Sequence, residues 1–257
     1  MYYRPMCRTR FVLCVAVWIS SSAQGQVVFN NIEDFSGASA GSNVGLETCN
    51  NDSPDVVIGA LSASGTSMCT SGIDDFVATA TSSYSGLFTG DALDVTGASL
   101  SALVEAEADA NPVNNLGSKS SSGNSNIRMN FNALSPVRYR VTLSARVNSA
   151  AFSQSGADRA SVTLANTGFA AFETLMLEEN SGNDEETVVR EGILPPGTFF
   201  LRVSTSGSAN ASFAADAVTA SATLEVTFEP VLSGGCCIDD SCIQLTQEEC
   251  AAQSGVY

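Results

Sequence analysis

Residues 139–147 read YRVTLSARV, and this stretch decides the fold. Its odd-numbered positions are apolar, and its even-numbered positions are polar or charged. Consecutive side chains of an extended strand point to opposite faces, so the alternation places every apolar side chain of the stretch on one face. We therefore predict a β-strand with one face in a hydrophobic core and the other in water.

The same kind of pattern continues outward in both directions. Residues 222–228, ATLEVTF, alternate in the same way, and helical periodicity is nearly absent from the body of the chain. Other short apolar runs lie between clusters of Ser, Gly, Asn and Asp, and they predict strands at 27–29, 56–61, 76–81, 100–108, 127–131, 160–165, 172–177, 187–194 and 198–204. About eleven such strands predict an all-β fold, an antiparallel, jelly-roll-like β-sandwich.

Two connections have recognisable sequences. Pro195-Pro196-Gly197 predicts a turn, in which Gly197 takes a positive φ. Residues 119–125 read KSSSGNS, one lysine followed by small polar residues. We interpret this second stretch as a mobile surface loop.

The first 25 residues have the three parts of a secretory signal peptide. Arg4, Arg8 and Arg10 are basic, Phe11–Ile19 is apolar, and small residues precede Gln26. The apolar run is shorter than the roughly 20 residues of a membrane span, and an uncleaved anchor is the alternative. We predict cleavage before Gln26, no membrane span in the mature chain, and a secreted, extracellular or cell-surface location.

The chain is strongly acidic. It has 11 basic and 27 acidic residues, and three of the basic residues lie in the predicted signal peptide. A surface of this sign repels nucleic acid and anionic membranes, so we predict no nucleic-acid partner. It suits a solvated extracellular protein, or one that binds divalent cations.

Two residue types are missing from the predicted mature chain. The sequence contains no His, and Trp18, its one Trp, lies in the predicted signal peptide. Without His there is no Ser-His-Asp triad, no Cys-His pair and no imidazole metal ligand. We therefore predict that the protein is not an enzyme. A glycosidase that uses two carboxylates is the alternative that needs no His.

Six cysteines follow the predicted signal peptide, and an even number in an exported chain predicts three disulfides. One predicted disulfide joins Cys49 to Cys69. The other four cysteines lie near the end of the sequence, at Cys236, Cys237, Cys242 and Cys250. Adjacent cysteines rarely bond each other, so each of the first two should bond one of the last two, in either of two pairings. A four-thiolate zinc site is the rival interpretation, but the paired short loops of such sites are missing.

The composition changes once, between Glu229 and Gly235, where the strand pattern stops. We divide the chain into a signal peptide at 1–25, a β-sandwich domain at 26–231 and a small, disulfide-rich C-terminal module at 232–257. Thr246 and Glu249 form a capping box, which predicts a short helix that carries Cys250. Disulfides would replace the hydrophobic core that so short a module cannot build.

This C-terminal segment resembles a short Cys-rich module of secreted proteins from environmental bacteria. The pattern of that module runs Gly-x-Cys-Cys, Asp-Gly-x-Cys, Thr-x-x-x-Cys and Gly-Gly-x-Tyr, and residues 235–257 follow it with two departures. Asp240 stands where Gly is usual, and Ser254-Gly255 replaces the double glycine. The module commonly continues to another Cys, so the resemblance implies export and a truncated copy.

A second resemblance covers residues 139–230. Residues 194–203, LPPGTFFLRV, are similar to the L-x-PGTYxLxV motif of exported bacterial β-sandwiches, among them the pre-peptidase C-terminal domains. Those domains are accessory and non-catalytic, and the resemblance implies the same for this chain.

Three groups of oxygen-bearing side chains are candidate sites. Glu105, Glu107 and Asp109 alternate with alanines, which predicts that all three face one side of a strand. Two predicted loops are rich in acidic and amide side chains, and such loops on sandwiches can hold Ca²⁺ with roughly six to eight oxygen ligands. The candidate calcium ligands are Asn183, Asp184 and Glu186 in one loop and Asp52 and Asp55 in the other. No other cofactor is predicted.

These observations favour one function and leave two alternatives. We predict a non-enzymatic extracellular or cell-surface β-sandwich protein, structural or adhesive, with a partner on a cell surface or in the extracellular matrix. The first alternative is a binding module for carbohydrate or another ligand, either dependent on calcium or independent of it. The second alternative is a glycoside hydrolase built on a carboxylate pair.

Overall fold

The computed structural model describes most of the chain after the predicted signal peptide. The described residues are 27–42, 45–50, 61–73, 76–108, 119–149, 158–168, 170–179, 182–211, 216–231, 233–238 and 241–253. Several predictions fall outside them, namely the signal peptide, the strand at 56–61 except Leu61, the calcium candidates Asp52 and Asp55, and Asp109.

The described residues contain fourteen strands and one short helix. In chain order they are β1 (Val27–Ser42), β2 (Gly45–Asn50), β3 (Ser62–Ile73), β4 (Phe76–Asp91), β5 (Asp94–Ala108), β6 (Lys119–Ala133), β7 (Val137–Ser149), β8 (Asp158–Asn166), β9 (Ala171–Glu179), β10 (Gly182–Leu194), β11 (Gly197–Ala211), β12 (Asp216–Pro230), β13 (Ser233–Ile238), β14 (Ser241–Thr246) and α1 (Gln247–Ala252). Within these ranges, no helix is both long enough and apolar enough to cross a membrane.

Two six-stranded antiparallel sheets make up the body. Sheet A has the strand order β2-β1-β6-β11-β8-β9, and sheet B has the order β10-β7-β12-β5-β4-β3. The sheets pack face to face, with β2 against β3 at one side and β9 against β10 at the other. The predicted all-β antiparallel sandwich is confirmed. Its twelve strands in two sheets exceed the roughly eight of a jelly roll.

The alternation that predicts β7 is visible in its burial. Every odd-numbered residue from Val137 to Ser149 is buried, and every even-numbered one is exposed or half-buried. β12 shows the same alternation from Asp216 to Phe228, with its even-numbered residues buried. The predicted turn at 195–197 connects β10 to β11, and Gly197 has a positive φ of 158°.

The larger region of the core, between the two sheets, is filled by bulky side chains. The ring of Phe131 lies against those of Phe199 and Phe228, with centroids 5.7 Å and 5.1 Å away. Each buried aromatic ring removes roughly 150–250 Å² from water, so these side chains supply much of the hydrophobic stabilisation.

The smaller region of the core consists mostly of alanines, together with Cys69 and Val218. These short side chains let the sheets approach each other closely. A Cβ atom added at Gly123 of sheet A would lie 3.0 Å from Val104 Cγ1 and 3.5 Å from Thr81 O, both in sheet B. The narrow gap therefore favours a glycine at this position.

Serine hydroxyls bridge this narrow gap. Ser125 Oγ, on β6, donates a hydrogen bond of 2.7 Å to Ser83 O on β4, and Ser121 Oγ donates one of 2.9 Å to Glu107 O on β5. Stacked sheets usually lie about 10 Å apart, too far for a serine side chain to reach the opposite backbone. The sheets are therefore closer than usual in this region.

Residues 119–125 are part of this region, and their interpretation as a surface loop is wrong. They form the first half of β6, which lies inside sheet A between β1 and β11. Ser121, Gly123 and Ser125 occupy its buried positions. Because those residue types are small or polar, the stretch has no apolar alternation, although it alternates in burial.

The end of the chain forms a separate antiparallel hairpin of β13 and β14, in which Cys237 lies opposite Cys242. α1 begins directly after Thr246 and carries Cys250, so the predicted short helix is confirmed. Cys250 is buried and disulfide-bonded, and so is Cys69 in the sandwich. The pairing of these cysteines and the division at residue 231 stay predictions.

Candidate functional site

A shallow depression on the outer face of sheet A is one candidate site. It has a volume of about 260 Å³. Neighbouring strands β1, β6 and β11 bring its residues together. We call it the sheet A depression, and its lining includes Phe35, Asn124, Asn126, Arg202, Ser204 and Ser206.

The strand register explains the shape of the sheet A depression. Phe35 lies opposite Asn126, which in turn lies opposite Ser204. Arg202 Nε donates a hydrogen bond of 2.7 Å to Asn126 Oδ1, which orients the guanidinium group. A Cβ atom at Gly37 would lie 3.1 Å from Phe35 Cζ, so the glycine lets the ring lie against the sheet.

The chemical groups in the sheet A depression suit a hydroxyl-rich ligand. The aromatic ring offers an apolar face, and the amide, hydroxyl and guanidinium groups offer hydrogen bonds. Arg202 is exposed and keeps N–H donors beyond the one that Asn126 accepts. The guanidinium group of the adjacent Arg128 makes other contacts. Its Nη1 lies 3.6 Å from Glu33 Oε2, and its Cζ lies 4.2 Å from the centre of the Phe200 ring.

The outer face of sheet B is lined mainly by serine and threonine. The strand register aligns one hydroxyl side chain from each of the six strands in a single row. This row, which we call the hydroxyl row, consists of Ser64, Ser85, Ser101, Thr223, Ser144 and Thr187. Within it, Ser85 Oγ and Ser101 Oγ lie 2.7 Å apart, and Ser144 Oγ and Thr187 Oγ1 lie 2.9 Å apart.

A second shallow depression, of about 220 Å³, adjoins the hydroxyl row and includes Arg146 and Glu185 in its lining. Arg146 Nε lies 3.9 Å from Glu185 Oε2, so the two charges partly offset each other. Both side chains are more than half exposed, and an ion pair of this kind contributes little to stability.

Glu105 and Glu107 share the outer face of sheet B with the hydroxyl row. Both are exposed, whereas Ala106 and Ala108 are buried, so the prediction that the two acidic residues face one side is confirmed. Their strand neighbours on β4 are threonines. The arrangement is an exposed polar strand face.

The calcium candidates Asn183, Asp184 and Glu186 do not lie in a loop, so that prediction is wrong. They belong to β10, which pairs with β7 along its whole length. Adjacent residues of a strand point to opposite faces, so Asn183 points to one face, and Asp184 and Glu186 point to the other, about 7 Å apart. Arg146 lies opposite Glu185 on the neighbouring strand and partly offsets its charge. Among the described residues, no group of three Asp, Glu or Cys side chains could hold a metal ion.

Sequence reasoning missed two buried carboxylates. Asp158, 1% exposed, lies on β8, and Asp216, 4% exposed, lies on β12. Burial raises the pKa of Asp158, the Ser208 N–H and the Ser149 hydroxyl lower it, and the charge of Asp216 raises it again. The sequence contains a signal for both, because each stands at an inward position of an alternating strand.

Comparisons with known proteins assign no family. No family model matches the chain, and no curated protein matches it. Among solved structures, it is similar to the enzymatically active domain of tailspike protein 4 from bacteriophage CBA120, with 12% identity over 64% of this chain and 19% of that chain and a TM-score of 0.21. It is also similar to the structure of infectious bursal disease virus, Gx strain, with 9% identity over 78% of this chain and 65% of that chain and a TM-score of 0.18. The chain thus spans about a fifth of the tailspike chain. At these TM-scores, neither similarity carries an argument about function.

Proposed function

We propose that this chain is an exported, non-catalytic β-sandwich with an adhesive or structural role, and that the outer face of sheet B is its contact surface. The hydroxyl row is the observation that carries the proposal. It crosses all six strands of the sheet and contains no charged side chain.

Hydroxyl side chains suit contact with an uncharged polar polymer such as a polysaccharide. Each hydroxyl both donates and accepts a hydrogen bond, and a short side chain loses little conformational entropy when it binds. Neighbouring strands lie about 4.8 Å apart, and alternate residues of one strand lie about 7 Å apart. The face therefore offers a grid of weak contacts that together favour an extended partner.

Export is supported by features outside the sandwich faces. Residues 1–25 follow the signal-peptide pattern, and both resemblances of the sequence are to exported proteins. Cys69 and Cys250 are disulfide-bonded, which fits an oxidising compartment. The acidic composition fits a solvated extracellular surface.

Adhesion of the whole chain to immobilised neutral polysaccharides tests the contact surface. The variant S85A/S101A/T223A removes three adjacent hydroxyls of the hydroxyl row. At about 0.5 kcal/mol each, their loss should weaken adhesion roughly tenfold. The matched control is S39A/S122A/S161A on the outer face of sheet A, where Ser39 Oγ and Ser122 Oγ are also 2.7 Å apart. Equal adhesion of both folded variants would contradict the proposal.

A binding module for carbohydrate or another small ligand is the second candidate function, and the sheet A depression favours it. Binding of the whole chain to a glycan array, with and without calcium, tests this candidate. F35A and R202A should each abolish binding there. R159A is the control, because Arg159 is an exposed arginine of the same sheet that pairs with Glu178. Loss of binding in R159A but not in R202A would reject the site.

A further inference from the structure

Asp158 and Asp216 meet where the pairing of β8 with β11 stops. β8 begins at Asp158, and its ladder with β11 reaches only to Ser206. The next N–H groups of β11 on that side bond to the carboxylates instead. Asp158 Oδ1 accepts from Ser208 N at 3.0 Å, and Asp216 Oδ2 accepts from Asn210 N at 2.8 Å.

These two hydrogen bonds bring the carboxylates close together. Ser208 and Asn210 are two residues apart on one strand, so their N–H groups point to the same side about 7 Å apart. Asp158 belongs to sheet A and Asp216 to sheet B, and both side chains are buried between the sheets. One negative charge from each sheet therefore lies in the same small volume.

Each carboxylate uses only one of its two oxygens in these hydrogen bonds. Asp158 Oδ2 and Asp216 Oδ1 are shielded from solvent and have no hydrogen-bond partner of ordinary geometry among the described residues. Ser149, 4% exposed on β7, lies beside Asp158, yet its Oγ also makes no hydrogen bond of ordinary geometry. A buried polar oxygen without a partner destabilises the fold, and more so if it is charged.

We propose that Asp158, Asp216 and Ser149 bind a single calcium-like divalent cation between the two sheets. Two carboxylates and a hydroxyl are hard oxygen ligands, which favour Ca²⁺ over zinc or copper. The cation would satisfy three unpaired oxygens and offset two buried negative charges at once. Water would complete the coordination. The burial of both carboxylates keeps them from a substrate, so the role of this site is structural.

Calcium titration of the whole exported chain, after removal of metal with a chelator, is the first test. We expect Tm to rise by several degrees and to saturate, and elemental analysis after gel filtration should find a single calcium per chain. The adhesion experiments above do not depend on this result. An unchanged Tm of the wild type, with no retained calcium, would overturn the proposal.

Asp→Asn substitutions test where the calcium ion binds. D158N and D216N keep the side-chain size and an oxygen that can accept the N–H of β11, but each removes one charge. Each should lose the calcium-dependent rise in Tm. D184N on β10 is the matched control and should keep it. The opposite pattern, with the rise lost in D184N and kept in D158N, would refute the site.

A crystal soaked in Tb³⁺ gives an answer that needs no variant. An anomalous peak within bonding distance of Asp158 Oδ2 and Asp216 Oδ1 would support the site. Terbium found only elsewhere, or not at all, would count against it even if D158N and D216N failed to fold.

Discussion

The Tyr139 hydroxyl, on β7, donates a hydrogen bond of 2.7 Å to Glu173 Oε1 on β9, and this bond joins the two sheets near their β9–β10 side. Glu173 Oε2 also lies 3.8 Å from Arg190 Nε on β10. The ring of Tyr139 lies over Gly192, where an added Cβ atom would be 2.6 Å from Tyr139 Oη. An aromatic ring over a glycine of the neighbouring edge strand shields the exposed backbone of that strand.

Tyr139→Phe should lower the free energy of unfolding by about 1–2 kcal/mol. The change leaves the ring over Gly192 in place but removes the hydroxyl that donates a hydrogen bond to Glu173 Oε1. Urea unfolding followed by circular dichroism measures the difference. A loss below about 0.3 kcal/mol would mean that the bond between the sheets contributes nothing.

The same residue predicts a loss of stability at high pH. Burial raises the pKa of Tyr139, and the hydrogen bond to Glu173 and its negative charge raise it further. In the unfolded chain a tyrosine ionises near pH 10, whereas the folded protein keeps this proton to higher pH. The stabilisation is therefore complete below about pH 10 and is lost as pH rises beyond it. Between pH 9 and about 11.5, the free energy of unfolding should fall less steeply with rising pH for Tyr139→Phe than for the wild type.

Gly192→Ala should destabilise the protein because the new methyl group meets the Tyr139 hydroxyl. Overpacking of this kind costs roughly 1–3 kcal/mol. A double-mutant cycle with Tyr139→Val supplies the control, since the smaller side chain removes the clash. The cost of Gly192→Ala should then shrink by at least about 1 kcal/mol, and an equal cost in both backgrounds would exclude the clash as its cause.

Ser82→Ala should destabilise the narrow part of the core by about 1–2 kcal/mol. Ser82 Oγ lies 2.6 Å from Ser36 Oγ and donates a hydrogen bond of 3.0 Å to Gly37 O in the other sheet. Ser85→Ala on the outer face of the same strand is the control and should cost less than about 0.5 kcal/mol. Equal effects of the two changes in thermal unfolding would mean that the bonds across the gap add no stability.

The sequence predicts the fold best where buried positions are apolar. β7 and the second half of β12 alternate between apolar and polar residues, so the burial of one face follows from the hydrophobic effect. Residues 120–125 alternate in burial as well, but their inward positions hold serine and glycine. Small polar residues are also typical of loops, so the composition of one segment does not separate the two cases. The two cases differ in the position of the opposite sheet. Here it lies close enough for its backbone carbonyl groups to accept hydrogen bonds from serine.

The candidate sites could be predicted from the sequence only where they depend on local strand alternation. Glu105 and Glu107 could be assigned to one face, because strand alternation is a local property. Asp158 and Asp216 are 58 positions apart by their numbers, and only the packing of sheet A on sheet B brings them together. The sheet A depression likewise combines Phe35, Asn126 and Arg202 from three strands that are distant in sequence.

The sandwich disulfide should join Cys49 to Cys69. Cys69 is disulfide-bonded and lies in the narrow region of the core together with Ala38. Ala38 pairs with Cys49 across β1 and β2, and β2 packs against β3, which carries Cys69. The closed loop of about 20 residues predicts a loss of roughly 3 kcal/mol in the variant C49S/C69S. Peptide mapping without reduction checks the pair directly.

The strand register favours one of the two pairings left open at the end of the chain. Cys237 and Cys242 are opposite each other on β13 and β14. Such residues have Cα atoms about 4.5–5.5 Å apart, within the usual disulfide range. Cys236 lies opposite Ile243 in the same register. Cys250 is disulfide-bonded on α1, which packs against both strands, so we predict the pairs Cys237–Cys242 and Cys236–Cys250.

Counting thiols in paired variants distinguishes the two pairings. C237S/C242S should contain no free thiol under denaturing, non-reducing conditions, because it removes both halves of one disulfide. C236S/C242S should leave two thiols, since it removes one half of each disulfide. Alkylation followed by mass spectrometry gives both counts. Two thiols in C237S/C242S would show that Cys237 bonds Cys250 instead.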